Sequence, residues 1–282
     1  MQRAHLYQEN VLPQLRPDQI PALAAVAYQA AGIRLNASKL DFLQARLFQR
    51  VLDSKAFTFR AYIDLVEGDE EERQTFVELL TVHTTSFFRE AAQYDWLLST
   101  GLPEMTLSGS NIVFWSAACS SGQEGWTSLM VAEAYRRETG RNFNCRLIGT
   151  DISKAVLQKA ERAIYQQQDV DNIAANIRAT YFLRARNQDG RYRIVTALRR
   201  SAEWRWGNLA TGKGLAGIQA NVAFLRNVLI YFDSATRDRV VDRVVRGIRP
   251  GGYLLTGHSE TGFKHPELVA VAPSIYQKEG RA

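Results

Sequence analysis

The sequence predicts an α/β fold in which a parallel sheet lies between helices, and three observations support this prediction. Apolar runs typical of strands buried on both faces recur at Ile112–Trp115, Cys145–Gly149 and Asn221–Leu225. Segments with apolar residues at helical spacing separate these runs, as in successive βαβ units. A loop of small residues, Ser116–Gly122, joins the first run to a helix that begins near Gly125–Trp126. A strand, a small-residue loop and a helix form the first half of a Rossmann-like nucleotide-binding unit.

Residues 1–82 predict a separate all-helical domain, ahead of an α/β domain that spans residues 83–282. Three segments of the first domain carry apolar residues at helical spacing: Ile20–Ala31, Lys39–Leu52 and Phe57–Glu67. The first of them is followed by Gly32, a residue type that commonly ends helices. The segment that joins the two domains, His83–Glu90, is rich in Thr and Phe, which are poor helix formers. Ligand-binding residues tend to lie at such junctions.

Three basic residues of the second helix, Lys39, Arg46 and Arg50, fall on one helical face. At about 100° per residue they lie within roughly 40° of one another. A solvated face is the ordinary explanation of such a stripe. Because no acid is interleaved with the three cations, the stripe also predicts a docking site for an acidic helix.

The small-residue loop indicates a nucleoside ligand without naming it. The loop contains neither the dinucleotide fingerprint G-x-G-x-x-G nor the phosphate loop G-x-x-x-x-G-K-[ST]. The second apolar run ends in Thr150-Asp151, and a carboxylate at the end of the second strand can accept hydrogen bonds from a ribose diol. An acidic side chain placed to bind a ribose, in a site without a phosphate-binding loop, favours a nucleoside cofactor that carries no phosphate. S-adenosylmethionine is the commonest of these. Asp151 considered alone is equally well explained as the cap of a helix over Ile152–Ala160.

Residues 181–206 differ from their surroundings and predict a small antiparallel β insert, rich in Arg and aromatic residues. Tyr181–Arg186 and Arg191–Val195 flank a turn at Asn187–Gly190, and Asp-Gly between alternating segments is a hairpin signal. Glu203–Trp206 is taken as the last part of the insert. The insert is either a plain surface hairpin or a free strand edge for a peptide.

Polar residues follow the strand Asn221–Leu225 directly. Arg226, Asn227 and Tyr231 lie at or beyond its carboxyl end, where open α/β sheets bind ligands. A helix is predicted over Ser234–Arg249 and ends at Pro250-Gly-Gly252. Two final strands are predicted at Tyr253–Thr256 and Ser274–Gln277.

Composition narrows the class of protein further. The net charge of +6 and the pI of 9.4 predict an acidic partner surface, which is either protein or nucleic acid. Met1–Asn10 is polar and no apolar run reaches the length of a membrane span, so neither a signal peptide nor membrane insertion is predicted. Cys119 and Cys145 lie in or beside predicted buried strands, which favours core residues in a reducing cytoplasm. The four histidines lack metal-ligand spacing, so no metal is expected.

Six segments together resemble the CheR family of chemotaxis-receptor protein-glutamate methyltransferases. They occur in the family's order and are Thr85–Glu90, Trp115–Glu124, Asp151-Ile152, Asn208-Leu209, Arg226–Asp233 and Gly251–Glu260. The run Arg-Asn-Val-Leu-Ile-Tyr-Phe-Asp, with Gly-His-Ser-Glu downstream, is the most specific part of the match. The second helix, with its three basic residues, also looks like the family's N-terminal helix and implies receptor binding by that stripe.

The resemblance implies a Rossmann-like S-adenosylmethionine-dependent methyltransferase domain that needs no metal. It implies transfer of a methyl group to glutamate carboxylates on cytoplasmic helices of methyl-accepting chemotaxis receptors, with S-adenosylhomocysteine as product. Carried over residue by residue, it implies cofactor contacts from His83, Thr85, Arg89, Ala118, Glu124, Asp151, Asn208, Leu209, Arg226 and Asn227. It places Arg89 and Tyr231 beside the reactive methyl group, where they are the predicted catalytic residues.

The sequence departs from the family's pattern at three places. His83 stands where the family usually has Asn, Gln123 replaces the first of two usual acids, and Gly125-Trp126 replaces the usual Pro-Tyr. These departures concern cofactor affinity more than fold. The β insert resembles the subdomain with which the family binds a receptor C-terminal tail, although its turn at Asn187–Gly190 is short.

Two other functions are consistent with parts of the sequence. A nucleic-acid methyltransferase would explain the basic pI and the Arg-rich insert, but base amino methyltransferases often carry Asn/Asp-Pro-Pro-aromatic where this chain has Arg226-Asn-Val-Leu. A non-catalytic regulator that binds S-adenosylmethionine or S-adenosylhomocysteine would need the same cofactor residues without methyl transfer.

Overall fold

The computed structural model describes residues 12–109, 111–185, 190–260 and 263–280. The chain forms two compact units, one that ends at Thr81 and one that begins at Val82. The first unit is helical and the second contains all the strands.

The first unit contains four α-helices: α1 (Ile20–Ala31), α2 (Leu40–Asp53), α3 (Phe59–Gly68) and α4 (Glu70–Leu80). The three predicted helices are confirmed, with ends that shift by one or two residues. Phe57 lies outside α3 because its φ of 60° is not helical, and Thr58 caps that helix by accepting a hydrogen bond from the N–H of Ala61. Leu43, Leu47 and Val51 on one face of α2 are fully buried and form part of this unit's core.

The second unit opens with two helices, α5 (Ala91–Trp96) and α6 (Leu102–Ser108), before its first strand. Its other helices are α7 (Gln123–Thr139), α8 (Lys154–Arg162), α9 (Gln167–Val170), α10 (Ala175–Tyr181), α11 (Thr196–Arg199) and α12 (Ser234–Arg246). Its strands are β1 (Asn111–Ser116), β2 (Asn144–Asp151), β3 (Ile164–Gln166), β4 (Phe182–Arg184), β5 (Arg191–Ile194), β6 (Ala202–Trp206), β7 (Ala220–Leu225), β8 (Ile248–Thr256), β9 (Leu268–Ala272) and β10 (Ile275–Lys278).

Seven strands form the central sheet in the order β6-β2-β1-β7-β8-β10-β9. β6, β2, β1, β7 and β8 are parallel, and β10 is antiparallel to both of its neighbours. The predicted α/β fold class is therefore confirmed. The strand order reverses between β1 and β7, which is where doubly wound sheets open a ligand crevice. Ser116 is in register with Gly149 on one side and with Phe224 on the other, so the loops that follow β1, β2 and β7 meet at one edge.

The second sheet is small and antiparallel, with the order β3-β5-β4. The predicted hairpin between β4 and β5 is confirmed, while residues 187–189 of its turn lie outside the described residues. The predicted extent of the insert, 181–206, is wrong at both ends. The small sheet begins earlier, with β3, and Glu203–Trp206 belongs instead to β6, which pairs in parallel with β2.

The error has a physical cause. Alternating charged and aromatic residues suit any strand with one covered face, including an edge strand of the main sheet. All five residues of β6 are partly buried, and Trp204 packs over Gly149 of the neighbouring strand, where an added Cβ would lie 2.3 Å from the indole ring.

The carboxyl-terminal end contains one strand more than predicted. β9 forms the outer edge of the sheet beside β10. Its Val269 and Val271 are exposed, so the strand does not show the buried pattern by which the other strands were recognised.

Candidate functional site

The loop after β1 is shaped by two residues with positive φ. Ser120 has a φ of 48° and Gly122 a φ of 92°. A Cβ on Gly122 would lie 2.9 Å from the side chains of both Ala160 and Trp204, so only glycine fits there. The loop therefore runs close to α8 and β6 before α7 begins at Gln123.

Asp151, the last residue of β2, connects this loop to the start of α8. Its Oδ2 accepts a hydrogen bond from the N–H of Ser120 (2.8 Å) and its Oδ1 accepts one from the N–H of Ser153 (2.9 Å). The N-cap of α8 is Ser153, whose hydroxyl accepts from the N–H of Val156. The capping role considered for Asp151 therefore belongs to Ser153. A carboxylate offers about four lone-pair sites and can therefore accept from several donors at once.

A buried ionic network lies where the loops after β1 and β7 meet. Arg226 has a side chain that is only 2% exposed, with Nη2 lying 3.3 Å from Glu90 and Nη1 lying 3.4 Å from Glu124. Nη1 also donates to the hydroxyl of Tyr94 (3.2 Å), and Nη2 donates to the carbonyl oxygen of Arg89. On the other side of the network, the hydroxyl of Ser116 donates to Glu124 (2.6 Å).

Burial and charge act in opposite directions on these groups. Burial by itself would lower the pKa of Arg226, but the nearby Glu124, Tyr94 and Glu90 raise it overall, so the guanidinium stays charged. Burial raises the pKa of Glu124, against the opposing effects of Arg226 and the hydroxyl of Ser116. The network therefore holds one cation between two carboxylates in a region with little water.

Two polar atoms of this network are buried without a hydrogen-bond partner among the described residues: Nε of Arg226 and Oε2 of Glu90, the second of which is the atom that is ion-paired with Nη2 of Arg226 at 3.3 Å. Such atoms are rare in folded proteins and often mark a position where a ligand completes the hydrogen bonds. A guanidinium N–H can donate to a carboxylate, and a glutamate oxygen can accept from an ammonium group. The network thus has the donors and acceptors that the amino-acid end of S-adenosylmethionine requires.

A further acid completes the loop after β7. Glu260 is 5% exposed. Its carboxylate accepts from the backbone N–H groups of Asn227, Leu229 (2.6 Å) and Gly257 (3.0 Å). The sequence analysis missed this residue as part of the site, although Glu260 ends the Gly-His-Ser-Glu motif that helped to indicate the family.

Comparison with known proteins decides the family. The model for the SAM binding domain of CheR methyltransferases matches residues 83–276, and the model for the all-alpha domain of CheR methyltransferases matches residues 18–81. The chain belongs to the CheR methyltransferase family. It is therefore an S-adenosylmethionine-dependent methyltransferase, and the nucleic-acid alternative is not favoured.

Curated relatives of similar length agree with this assignment. The chemotaxis protein methyltransferase of Borreliella burgdorferi is 30% identical over 277 residues, which cover 95% of this chain and 97% of that protein. Chemotaxis protein methyltransferase 2 of Vibrio cholerae is 33% identical over 240 residues, covering 83% and 82%. The chemotaxis protein methyltransferase of Escherichia coli is 32% identical over 249 residues, covering 87% and 84%.

The two predicted catalytic residues of this CheR-family protein lie on segments that border the network. Arg89 donates from Nη1 to the carbonyl oxygen of Thr84 (3.1 Å), and its own carbonyl accepts from Arg226. Tyr231 ends a 3₁₀ turn, Leu229–Tyr231, and is 39% exposed. Their catalytic roles stay predictions.

The other predicted cofactor residues are distributed over three loops. The carbonyl oxygen of His83 accepts from the hydroxyl of Ser120 (3.1 Å), which attaches the segment containing His83 to the loop after β1. Asn208 is buried and its Oδ1 accepts from the N–H groups of the second and third residues after it. The carbonyl oxygen of Leu209 accepts from Arg243 (3.1 Å). Thr85 and Ala118 are partly buried, and their cofactor contacts stay predictions.

The basic stripe of α2 differs from its prediction in one respect. Arg50 forms a two-point ion pair with Glu72 of α4, to which Tyr62 also donates from its hydroxyl (2.9 Å). The expectation concerned acids interleaved on the same helical face, and the acid that pairs with Arg50 comes from another helix. Lys39 and Arg46 are exposed, and Arg46 lies over the ring of Phe42 (5.3 Å). Receptor binding by the stripe stays a prediction.

Two further features bear on the predicted class of protein. Within the described ranges, no three His, Cys, Asp or Glu side chains come together as metal ligands would. Across the same ranges, no helix combines the length and the apolar character needed to cross a bilayer. His258 has a side chain that is 56% exposed, and its Nε2 lies 4.0 Å from Oε2 of Glu90.

Proposed function

We propose that this protein methylates glutamate side chains on the cytoplasmic helices of chemotaxis receptors, with S-adenosylmethionine as donor. The products are glutamate methyl esters and S-adenosylhomocysteine. The observation that carries the proposal is the network of Arg226, Glu90 and Glu124, beside a loop that ends in Gly122 and is hydrogen-bonded to Asp151. It suits a zwitterionic amino acid joined to a ribose, and the loop lacks the sequence of a phosphate cradle.

The cofactor residues divide by charge. Glu124 and Glu90 are assigned to the ammonium group of the methionine part, Arg226 to its carboxylate, and Asp151 to the ribose hydroxyls. The remaining cofactor contacts are assigned to His83, Thr85, Arg89, Ala118, Asn208, Leu209 and Asn227. Arg226 supports this division because it has a buried N–H that no other described residue accepts.

The chemistry requires no general base. When bound, S-adenosylmethionine supplies a methyl group on a positively charged sulfur. A glutamate side chain, with an ordinary pKa of about 4.3, is already ionised at neutral pH and can attack that methyl directly. The new O–CH₃ bond forms as the S–CH₃ bond breaks, and the electron pair of the broken bond stays on sulfur.

The protein therefore contributes position and environment. Holding the reacting groups in line supplies roughly 7–11 kcal/mol of the lowering of the barrier. The negative carboxylate and the positive sulfonium react to give an ester and a thioether, both uncharged, so a site with little water favours the transfer step. The carboxylate must, however, lose its own water before it reacts, and this costs free energy. We assign Arg89 as the cation that stabilises the incoming carboxylate and Tyr231 as the ring and hydroxyl beside the methyl group.

Receptor recognition is assigned to two places. Arg46 on α2 and Lys39, which directly precedes α2, are exposed cations that suit an acidic receptor helix, whereas Arg50 is paired with Glu72. In the small sheet, β4 is an edge strand, and we assign it as the surface for a receptor C-terminal tail. A protein that acts on receptor cytoplasmic helices works in the cytoplasm.

The test is transfer of a labelled methyl group. The protein is incubated with S-adenosylmethionine labelled in its methyl group and with membranes that contain a chemotaxis receptor. A label on the receptor that is released as methanol by mild base supports a glutamate ester. A matched receptor with its candidate glutamates replaced by alanine should take up no label. A base-stable label, or label on nucleic acid, contradicts the proposal, and cofactor binding without transfer would favour the regulator.

A further inference from the structure

Glu260 makes more backbone hydrogen bonds than an ordinary surface acid. Its Oε1 accepts from Leu229 N–H (2.6 Å), and its Oε2 accepts from both Asn227 N–H and Gly257 N–H (3.0 Å for the latter). The side chain is 5% exposed. Hydrogen bonds from N–H groups to a charged acceptor are about twice as strong as neutral ones. Glu260 therefore binds the loop after β7 to the loop after β8.

The loop that Glu260 holds has an unfavourable backbone. Asn227 has a φ of 58°, in the left-handed region that few non-glycine residues adopt and that Asn adopts more readily than most. The 3₁₀ turn Leu229–Tyr231 follows directly and carries Tyr231. A backbone of this kind persists where its surroundings enforce it. The carboxylate of Glu260 accepts hydrogen bonds from the N–H of Asn227 and from the N–H of Leu229, the first residue of the turn.

The fit around this carboxylate is tight. A Cβ added to Gly257 would lie 2.7 Å from Oε2 of Glu260 and 3.0 Å from Nδ2 of Asn227. Since β7 and β8 are parallel neighbours, both loops emerge at the edge of the sheet where the network of Arg226 lies. The absence of a side chain at Gly257 lets the three groups pack against one another.

We infer that Glu260 is a positioning residue for methyl transfer. Its carboxylate fixes the backbone of Asn227 and of the turn that carries Tyr231, while Glu260 itself touches neither substrate nor cofactor. The inference rests on the proposed function, because Asn227 is assigned to the cofactor and Tyr231 to the methyl group. It adds Glu260, in the loop after β8, to the residues of the loops after β1 and β7 that are assigned to methyl transfer.

The main test is Glu260→Gln, which keeps the shape of the side chain and removes one acceptor. An amide has a single acceptor oxygen, so its NH₂ group must face Leu229 N–H or the N–H groups of Asn227 and Gly257. We expect the Kd for S-adenosylhomocysteine to rise about 10- to 100-fold and kcat to fall by a similar factor. The KM for the receptor should stay within about twofold, because no receptor contact changes. The matched control is Glu279→Gln, an exposed acid of the same end of the chain, which should leave all three constants unchanged.

A second variant approaches the same carboxylate from its other side. Gly257→Ala leaves every hydrogen-bonding group in place and inserts a methyl group between Glu260 and Asn227. It should weaken binding of S-adenosylhomocysteine in the same direction. Gly280→Ala is its control, because a Cβ at that position has no atom within 4 Å. Binding is measured by calorimetry at a temperature where near-UV circular dichroism shows each variant to be folded.

The outcomes separate this inference from the proposed function. If the unaltered protein binds no S-adenosylhomocysteine, the proposed function fails. If it binds and both variants bind equally well with unchanged kcat, the positioning role of Glu260 is overturned while the function stands. A lower Tm in Glu260→Gln with unchanged Kd and kcat would make Glu260 a purely structural residue, and would also overturn the inference.

Discussion

Replacing Arg226 by methionine should expose how much the buried network depends on its one cation. The substitution keeps an unbranched side chain in the site and removes the positive charge between Glu90 and Glu124. At 3.3–3.4 Å and an effective dielectric constant near 20, each ion pair corresponds to about 5 kcal/mol of gross attraction. The loss cannot be that large, because a carboxyl group that has lost its cation can take up a proton instead.

Protonation sets an upper limit on the penalty and makes it depend on pH. The ordinary pKa of Glu124 is near 4.5. Holding it protonated at pH 7 costs about 3.4 kcal/mol, at 1.36 kcal/mol per pH unit, but only about 0.7 kcal/mol at pH 5. We therefore expect Arg226→Met to lower the free energy of unfolding by about 3 kcal/mol at pH 7, the lower end of the range measured for broken buried pairs. At pH 5 the loss should shrink to below about 1 kcal/mol.

The direction in which the stability of this variant changes with pH follows from the linkage between proton binding and folding. Burial raises the pKa of Glu124 in the folded state, and without Arg226 that pKa rises further. The folded state then binds the proton more tightly than the unfolded state, so stability falls as pH rises from about 4.5 through the folded pKa. A depressed folded pKa would produce the opposite slope.

Tryptophan fluorescence in urea measures this change selectively. All five tryptophans, Trp96, Trp115, Trp126, Trp204 and Trp206, belong to the unit that begins at Val82, so the signal reports that unit alone. Arg246→Met is the matched control, because Arg246 is 71% exposed and its pair with Asp242 is worth at most about 1 kcal/mol. An equal loss at pH 5 and pH 7 would refute the reasoning, as would a loss below about 1 kcal/mol at both.

Four further variants test separate parts of the molecule. Asp151→Asn should raise the Kd for S-adenosylhomocysteine about 10-fold in calorimetry, since an amide presents one acceptor fewer to Ser120 N–H and the ribose; an unchanged Kd would remove Asp151 from the site. Arg89→Ala should abolish transfer and leave the thermal unfolding curve unchanged, and near-normal turnover would exclude it from catalysis. The pair Lys39→Glu and Arg46→Glu should raise the KM for the receptor at low salt without changing cofactor Kd, whereas no change in KM would contradict receptor binding by α2. Glu72→Ala should lower the stability of the helical unit by about 3 kcal/mol in far-UV circular dichroism, because it leaves a buried phenol and a guanidinium unpaired; a loss below about 1 kcal/mol would contradict that reading.

The sequence was most informative about residues that follow buried strands. Asp151 and Arg226 were recognised because the carboxyl ends of parallel strands meet at one edge, and apolar runs reveal where such strands end. Both residues lie where the strand pattern places them: Asp151 accepts from the N–H of Ser120, and Arg226 lies 3.4 Å from Glu124. Strand pattern alone could not show that Arg226 would be flanked by two carboxylates.

Glu90 and Glu260 lie in segments whose backbone carries no periodic signal. Glu90 has a φ of 60°, and Glu260 acts through Asn227, which has a φ of 58°. Left-handed conformations at non-glycine residues depend on tertiary contacts, so local sequence does not reveal them. Arg50 illustrates the same limit, because its acidic partner is 22 residues away on another helix.

Gly125 and Trp126, at one of the three places where this chain departs from its family's pattern, are both buried and closely packed. Gly125 faces Leu147, where an added Cβ would lie 2.6 Å from a methyl group of that leucine. The large ring of Trp126 is 1% exposed and lies 5.2 Å from the ring of Trp204. A small residue and a large one thus replace two of intermediate size on adjacent positions of α7. Glu124, which directly precedes the two positions, contacts Ser116 and Arg226, so the polar network forms in this chain with Gly125 and Trp126 packed beside it.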